Sequence, residues 1–182
     1  MTSKPPVGEL ITALAARLGV PAFVAVCTDL MAGAEREEYV EELRSLTGHS
    51  WLPGEAVFDR SVWHDYWVRT WGARGLLHVW DDSASAAVVA GLGDEHWRPA
   101  EMCLKVVARH DVAGAGDPAS LLLRHELPRV RSQAMRALAV VGDTEHVALV
   151  RDLLEDDDEA VRGQAGRALA AMARRLDVDP EL

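Results

Sequence analysis

The sequence predicts an all-α protein in which paired helices recur every 31 residues behind an N-terminal helical cap. Three observations carry this expectation. Sliding the chain against itself by 31 aligns Val68, Pro99, Val130 and Val161, then Gly72, Cys103, Ala134 and Ala165, then Leu76, Val107, Leu138 and Leu169. Within each copy these positions are spaced i, i+4, i+8, the stripe of one buried helix face. The middle position is small in every copy, which lets a neighbouring helix approach closely. Self-similarity at a fixed period marks an architecture whose units bury their apolar faces by stacking on one another.

The elements follow in chain order. Three cap helices are expected over Gly8–Leu18, Pro21–Met31 and Glu35–Thr47, the last with Tyr39, Val40, Leu43 and Leu46 on one side. The stretch TGHSWLPGEAVFD is rich in turn formers and reads as a loop of about ten residues joining cap to repeats. Division by register puts the cap and loop at residues 1–58 and the repeats at 59–182. The second helices of the units are shorter, at Ser83–Leu92, Asp117–Glu126 and Thr144–Glu155, with Leu92, Leu123 and Leu154 in register. Gly142-Asp143-Thr144 supplies a helix stop followed by an N-cap. The run EDDDE at 155–159 reads as a turn and the acidic first turn of the last helix, suited to its macrodipole.

The best copy is DDEAVRGQAGRALAAM, Asp157 to Met172: acids at a turn, then Val-Arg, then small and aliphatic residues at helical spacing. PRVRSQAMRALAVVGD repeats it, and HDYWVRTWGARGLL keeps the acid, the Val-Arg and the small residue. DEHWRPAEMCLKVVA departs, with Pro99 and Ala100 in the Val-Arg positions, so the Arg contact is lost there. This pattern resembles the HEAT-like repeat over roughly residues 61–176. The resemblance implies antiparallel helix pairs stacked into a short α-solenoid, with an atypical terminal cap over its open core. It implies little about function, because HEAT-like repeats serve adaptors, lyases and glycosylases alike.

Bulk composition bounds the rest. At 182 residues with 49 % hydrophobic residues the chain suits one domain, or one domain with a helical appendage. The formal charge of −10 is spread evenly: residues 1–66 carry 5 basic and 10 acidic side chains, residues 67–182 carry 14 and 19. Neither part has the basic balance that drives binding to phosphate backbones. Cys27 and Cys103 form no CxxC pair, so neither a disulfide framework nor a zinc knuckle is indicated and a reducing cytoplasm fits. The start, MTSKPPVGEL, lacks the basic and apolar regions of a signal peptide, and Arg17, Pro21 and Asp29 break the apolar run from Leu10 to Met31. No membrane span is expected. Two lysines stand beside 17 arginines, a bias of GC-rich bacterial coding sequence.

One stretch stands apart. VWHDYWVRTWGARGLLHVW, 62–80, holds four of the six tryptophans, with Trp63, Trp67 and Trp71 at intervals of four. If one helix carries all three, they centre roughly 140° from the Val68/Gly72/Leu76 stripe. Later repeats place Asp94, His125 and Asp156, then Arg98, Arg129 and Ala160, then Met102, Gln133 and Gln164 at these positions, mostly residues expected at a surface. Three indoles amount to roughly 450–750 Å² of aromatic surface, too much to leave in water. Either the cap helices or the Trp51 loop cover them as a second core, or they wall a pocket with His64, Asp65 and Arg69 on its rim, or they meet a second copy of the chain. Trp80 falls at a turn and belongs to neither.

Other constellations have plainer readings. His–acid neighbours occur at His64-Asp65, Glu95-His96, His125-Glu126 and Glu145-His146. HEAT-like diiron hydroxylases carry His-Glu pairs directly after the Val-Arg position, where this chain has Thr70-Trp71, Glu101-Met102, Ser132-Gln133 and Gly163-Gln164. The pairs at the inter-repeat turns are therefore read as helix caps and N-terminal charges, and no metal or other cofactor is expected. HEAT-like alkylpurine DNA glycosylases use tryptophans and an acid on a basic face. Here the second helices offer only Arg124 and Arg151 against Asp117, Glu126, Glu145, Asp152 and Glu155, so no nucleic acid is expected. The Arg74/Lys105/Arg136/Arg167 ladder reads as a solvated face, with Glu101 and Lys105 paired at i, i+4.

Motifs such as GxxxxGK[ST], GxSxG and HExxH do not occur. The functional expectation is a non-enzymatic interaction scaffold or adaptor in the cytoplasm, with a protein partner on the concave face or the aromatic junction. The alternative is a small-molecule binder or enzyme with a pocket at that junction. The binding residues expected there are Trp63, His64, Asp65, Trp67, Arg69 and Trp71, with His64 or Asp65 as the proton-transfer group. A glycosylase-like HEAT protein stands behind both.

Overall fold

A computed structural model describes residues 5–177. They form ten α-helices and no strand. The helices are α1 (Val7–Leu18), α2 (Val20–Met31), α3 (Val40–Thr47), α4 (Tyr66–His78), α5 (Ser85–Gly91), α6 (Trp97–His110), α7 (Gly116–Leu121), α8 (Pro128–Val141), α9 (Thr144–Asp152) and α10 (Glu159–Leu176). The four first helices start at Tyr66, Trp97, Pro128 and Glu159, each 31 residues after the last. All twelve residues of the predicted stripe are buried. The expected all-α repeat fold is therefore the observed one.

Packing groups the chain into two compact units, Met1–Ala87 and Val88–Leu182. In the first, α4 keeps the repeat register but packs most extensively on α2. The small position explains how. A Cβ on Gly72 would lie 2.5 Å from the Cys27 carbonyl oxygen and 3.0 Å from Leu30 Cβ. A Cβ on Gly75 would collide with Cys27 Sγ. Only glycine lets the two backbones come this close. Ile11, Leu14, Phe23, Cys27, Leu30, Leu43, Leu46 and Leu76 fill the rest of this core.

No single described helix is long and apolar enough to cross a membrane. Helices α1 and α2 reach that composition only together, and they bend by 119° at their junction. Their apolar residues, among them Ile11, Leu14, Phe23 and Leu30, are spent on the core of the first unit.

In the second unit α8 packs between α6 and α10. The Val-Arg arginine has a defined task there. Arg131 Nη1 donates to the carbonyls of His125 and Glu126 at 2.9 and 3.1 Å. Arg162 Nη1 donates to those of Asp156 and Asp157 at 2.7 and 3.1 Å, 31 residues on. Each arginine thus staples its helix to the turn before it. Arg131 also grips both Asp156 carboxylate oxygens, at 2.8 and 2.7 Å, and so ties one turn to the next.

Two details of the register are corrected. Leu154 does not share the buried place of Leu123: it is 38 % exposed, and Leu153 takes the inner position. No further helical pair follows α10 among the described residues to cover it. The short second helices also differ at their ends: α7 and α9 close in 3-10 turns, at Leu122–Arg124 and Leu153–Glu155, whereas a 3-10 turn at Asp82–Ala84 precedes α5.

Candidate functional site

The tryptophan stripe is not laid on one helix. Helix α4 begins at Tyr66, in register with the other first helices, so only Trp67 and Trp71 belong to it. Trp63 lies in the preceding segment, which is turned back by Asp59. The Asp59 carboxylate accepts from the Ser61 N–H at 2.9 Å and its hydroxyl at 2.6 Å, and the Asp59 carbonyl accepts the Trp63 N–H at 2.8 Å. The expected single aromatic helix face is thereby corrected: turn chemistry, not helical periodicity, places Trp63.

The rings meet all the same. Trp63 stands 5.5 Å from both Trp67 and Trp71, and Trp67 stacks on Trp71 at 6.2 Å. Trp71 is 2 % exposed, whereas Trp63 and Trp67 are half-buried. The position of Trp71 is not a surface position in later repeats either, since Gln133 and Gln164 are buried at 4 % and 6 % exposure. A first helix that packs on both flanks buries more than one stripe, which corrects the expectation read from residue type.

Trp51 closes this cluster from the cap side. It is 1 % exposed, with edge-on contacts to Phe58 at 5.4 Å and Trp71 at 5.5 Å. Its backbone sits at φ 54°, in the left-handed region. For a bulky residue this costs about 1–2 kcal/mol, so the surroundings must over-determine it. They do: beyond the ring contacts, Trp51 Nε1 donates to Thr47 Oγ1 at 2.9 Å. The loop after α3 is thus pinned at its start.

Asp65 is engaged by two arginines. It accepts from Arg36 Nη2 at 2.7 Å and Arg60 Nη1 at 3.2 Å. Arg36 is fully buried, and its Nη1 donates to the Val57 carbonyl at 2.7 Å. Arg60 in turn pairs with Glu35 and Glu37 at 2.5 and 3.1 Å. This network clamps residues 57–65 onto the 3-10 turn Arg36–Tyr39. Partial burial pulls the Asp65 pKa up, but the Arg36 hydrogen bond and the two guanidinium charges prevail and hold it below the ordinary carboxylate value. Asp65 is a structural anion.

His64 is exposed, with its ring 5.6 Å from Tyr66, and Arg69 is half-buried on α4. The six expected residues are therefore split. Trp63, Trp67 and Trp71 come together, while Asp65 serves the clamp.

Hollows lie on both units. In the first, His49, Ser50, Glu55, Ala56, Val57 and Trp63 line a pocket of about 320 Å³. His49 meets Trp63 edge-on at 5.5 Å. Sequence reasoning missed His49, Glu55 and Arg36. The first two sit in a loop without periodicity, and Arg36, inside the acidic run EREEY, carries every sign of a surface residue. In the second unit a groove of about 430 Å³ runs between the two second helices and their 3-10 turns, with Leu121, Leu123, Leu149 and Leu153 on its walls and Asp152 and Glu155 beside them. Leu121 is 76 % exposed.

Of the His–acid neighbours of the second unit, His96 and His146 serve helix caps as expected, whereas His125 bonds just ahead of α8, whose N-cap Leu127 has no side-chain cap. His96 Nδ1 accepts from the Arg98 N–H at 3.2 Å and His125 Nδ1 from the Leu127 N–H at 3.0 Å. His146 Nδ1 accepts from the Asp143 N–H at 2.9 Å in a capping box. Asp158 caps α10 through the Ala160 and Val161 N–H groups. Asp117, Glu145 and His146 bring ligand atoms within 4.8 Å of one another. Their chemistry does not suit a metal. Because Nδ1 accepts a backbone N–H, Nε2 carries the proton and donates it to Asp117 Oδ1 at 3.1 Å.

The basic ladder has neutral partners as well as acids. Lys105 pairs with Glu101 at 3.4 Å as expected, but Arg136 and Arg167 donate to the side-chain carbonyls of Gln133 and Gln164. Arg129 takes Glu101 in a bidentate pair at 2.9–3.2 Å. Trp97 already carries its cations, Arg98 at 4.4 Å and Arg129 at 4.7 Å over the ring.

Residues 117–181, from α7 to the last helix, match the family model for HEAT repeats. Neither the curated proteins nor the solved structures contain a significant match. The matched region holds the Val-Arg staples, the buried i, i+4, i+8 stripe and the alternation of long and short helices, and the same register extends back to Tyr66. Over residues 117–181 the chain carries HEAT-like repeats.

Proposed function

We propose that this protein is a non-enzymatic interaction scaffold of the bacterial cytoplasm, and that the groove between the second helices of its second unit takes a segment of a protein partner. HEAT repeats commonly mediate protein–protein interaction. The observation that carries the reading is Leu121. A leucine 76 % exposed among the lining residues of this groove leaves surface in water that a partner's side chains would bury. With Arg131 and Asp156 paired to each other, Asp152 and Glu155 outnumber Arg124 in the groove, which favours a partner segment that pairs apolar anchors with Lys or Arg.

The reactive groups support the non-enzymatic reading. Burial pushes the Cys27 thiol far above its ordinary pKa and the Cys103 thiol up to about 12, so neither supplies a thiolate near neutral pH. Asp65, held as an anion by two arginines, is a poor proton donor.

The experiment places a photo-crosslinking amino acid at position 121 in cells and identifies the captured chains. A discrete partner that is lost from Leu121→Asp, with thermal stability unchanged, supports the reading. Self-crosslinks only, or capture unaffected by Leu121→Asp, would overturn it. A Leu121→Asp variant that melts far below the parent would assign Leu121 to packing instead.

A further inference from the structure

We propose that the Trp63 pocket of the first unit binds an organic cation, a methylated ammonium group, held between the indole and the Glu55 carboxylate. This inference is independent of the groove on the second unit and rests on three observations.

The first is the wall. Trp63 is half-buried, with His49 on it edge-on and Trp67 and Trp71 as its other ring neighbours, each at 5.5 Å. Aromatic contacts of this kind fix the indole in place while leaving part of it to line the hollow. An indole is the best of the protein aromatics at attracting a cation, and aromatic walls are the usual device for recognising quaternary ammonium groups.

The second is Glu55. It is half-buried and lines the same pocket, yet among the described residues its carboxylate has neither an ion pair nor a side-chain hydrogen bond. A carboxylate partly screened from water without a partner is open to pairing, and a cation in the hollow would supply it. The contrast with the second unit is direct. There the half-buried Trp97 is served by Arg98 and Arg129, and the buried Glu101 by Arg129 and Lys105. In the first unit the same pair of groups, indole and carboxylate, lines an open hollow.

The third is how firmly the loop is set. Trp51 is held at φ 54°, Arg36 pins the Val57 carbonyl, and the Asp59 turn fixes Trp63. Strain maintained by surrounding structure is a feature of binding sites, because a pre-set wall loses little freedom when a ligand arrives. At about 320 Å³ the hollow is at the small end of the roughly 300–1,000 Å³ of ligand pockets, which suits a compact head group.

The test is a titration of the full chain followed by the indole resonances in nitrogen–proton NMR spectra, with Trp63 assigned through Trp63→Phe. Tetramethylammonium chloride should shift the Trp63 resonance saturably and leave that of Trp97 in place. Sodium chloride at equal ionic strength and the neutral isostere neopentyl alcohol should not reproduce the shift. Glu55→Gln should weaken the response about tenfold or more while the remaining spectrum keeps its parent positions. A peptide carrying trimethyllysine that binds more tightly than tetramethylammonium assigns the group to a partner chain, and equal or weaker binding assigns it to a free metabolite. No saturable shift up to about 100 mM, an equal response to the neutral alcohol, or an unchanged affinity in Glu55→Gln would each overturn the proposal.

Discussion

At the scale of single residues, the sharpest contrast is between a charge that is buried and the one that answers it. Arg36 has no exposed side-chain surface, whereas Asp65 is 56 % exposed. Removing the carboxylate leaves a guanidinium inside the protein with fewer acceptors, so the loss falls on the partner that cannot return to water. Asp65→Asn should cost about 1–2 kcal/mol, a charge-assisted hydrogen bond discounted for the solvent on the Asp65 side. The pH dependence has a definite sign. Asp65 titrates below its ordinary value in the folded chain, so its contribution is complete above about pH 4 and fades as pH falls through the lower, folded value. Melting curves of parent and Asp65→Asn should therefore differ most near neutrality and converge as pH falls below the ordinary carboxylate range. A difference that grows on acidification would contradict the assignment.

At the scale of elements, glycines on helices separate packing from propensity. Ordinarily glycine to alanine in a helix interior gains about 0.5–1 kcal/mol. Gly166 on α10 has nothing within 4 Å of an added Cβ, so Gly166→Ala should gain that amount. Gly72 on α4 has the same intrinsic gain, but its Cβ would meet the Cys27 carbonyl at 2.5 Å. A backbone oxygen cannot swing aside, and overpacking of this kind costs about 1–3 kcal/mol. Chemical denaturation should thus give opposite signs for the two substitutions; the same sign in both would mean that α2 and α4 are not held at this separation. The staple makes a third case. Arg131→Lys keeps the charge but cannot reach two carbonyls and both Asp156 oxygens at once, so a loss of about 2 kcal/mol or more is expected where charge alone would predict none.

Legibility divides along the same line. The helix starts at Tyr66, Trp97, Pro128 and Glu159 and the buried stripe were readable, because helical spacing and a 31-residue register are local in sequence. The His and Asp caps were readable because a cap acts within two or three residues. Three things were not. Trp63 follows a turn set by Asp59, Arg36 finds its acceptors 21 and 29 residues away, and the Glu55 pocket exists only once the loop has closed over Trp71. Each depends on a contact between segments that have no common period, so spacing could not reveal it. Spacing thus drew attention to the tryptophans, while the place of Asp65 in the arginine clamp and of Glu55 in the hollow lined by Trp63 could not be read from it.

At the scale of the whole molecule, the question is whether any part of an acidic chain can hold nucleic acid. Residues 1–87 carry 7 basic and 12 acidic side chains and residues 88–182 carry 12 and 17, so each unit has a net charge of −5. The basic groups of the second unit do gather, since α6, α8 and α10 together hold ten of them against Glu101 and Glu159. Several are already engaged. Arg131 and Arg162 serve turn carbonyls, Arg175 donates to those of Ala139 and Gly142, and Arg129 and Lys105 share Glu101. Binding to a duplex gains its free energy from counterions released as Lys and Arg replace them along the phosphates, and losing internal partners offsets that gain contact by contact. Arg136 and Arg167, held by glutamine carbonyls, together with Arg98, Arg109 and Arg174 do not compensate a net negative unit. A 20-base-pair duplex at about 150 mM salt should therefore show no retardation with up to about 100 μM protein. Retardation that weakens steeply with added salt would mean that these first-helix arginines are free to exchange partners, and would make that face, not the second-helix groove, the principal binding surface.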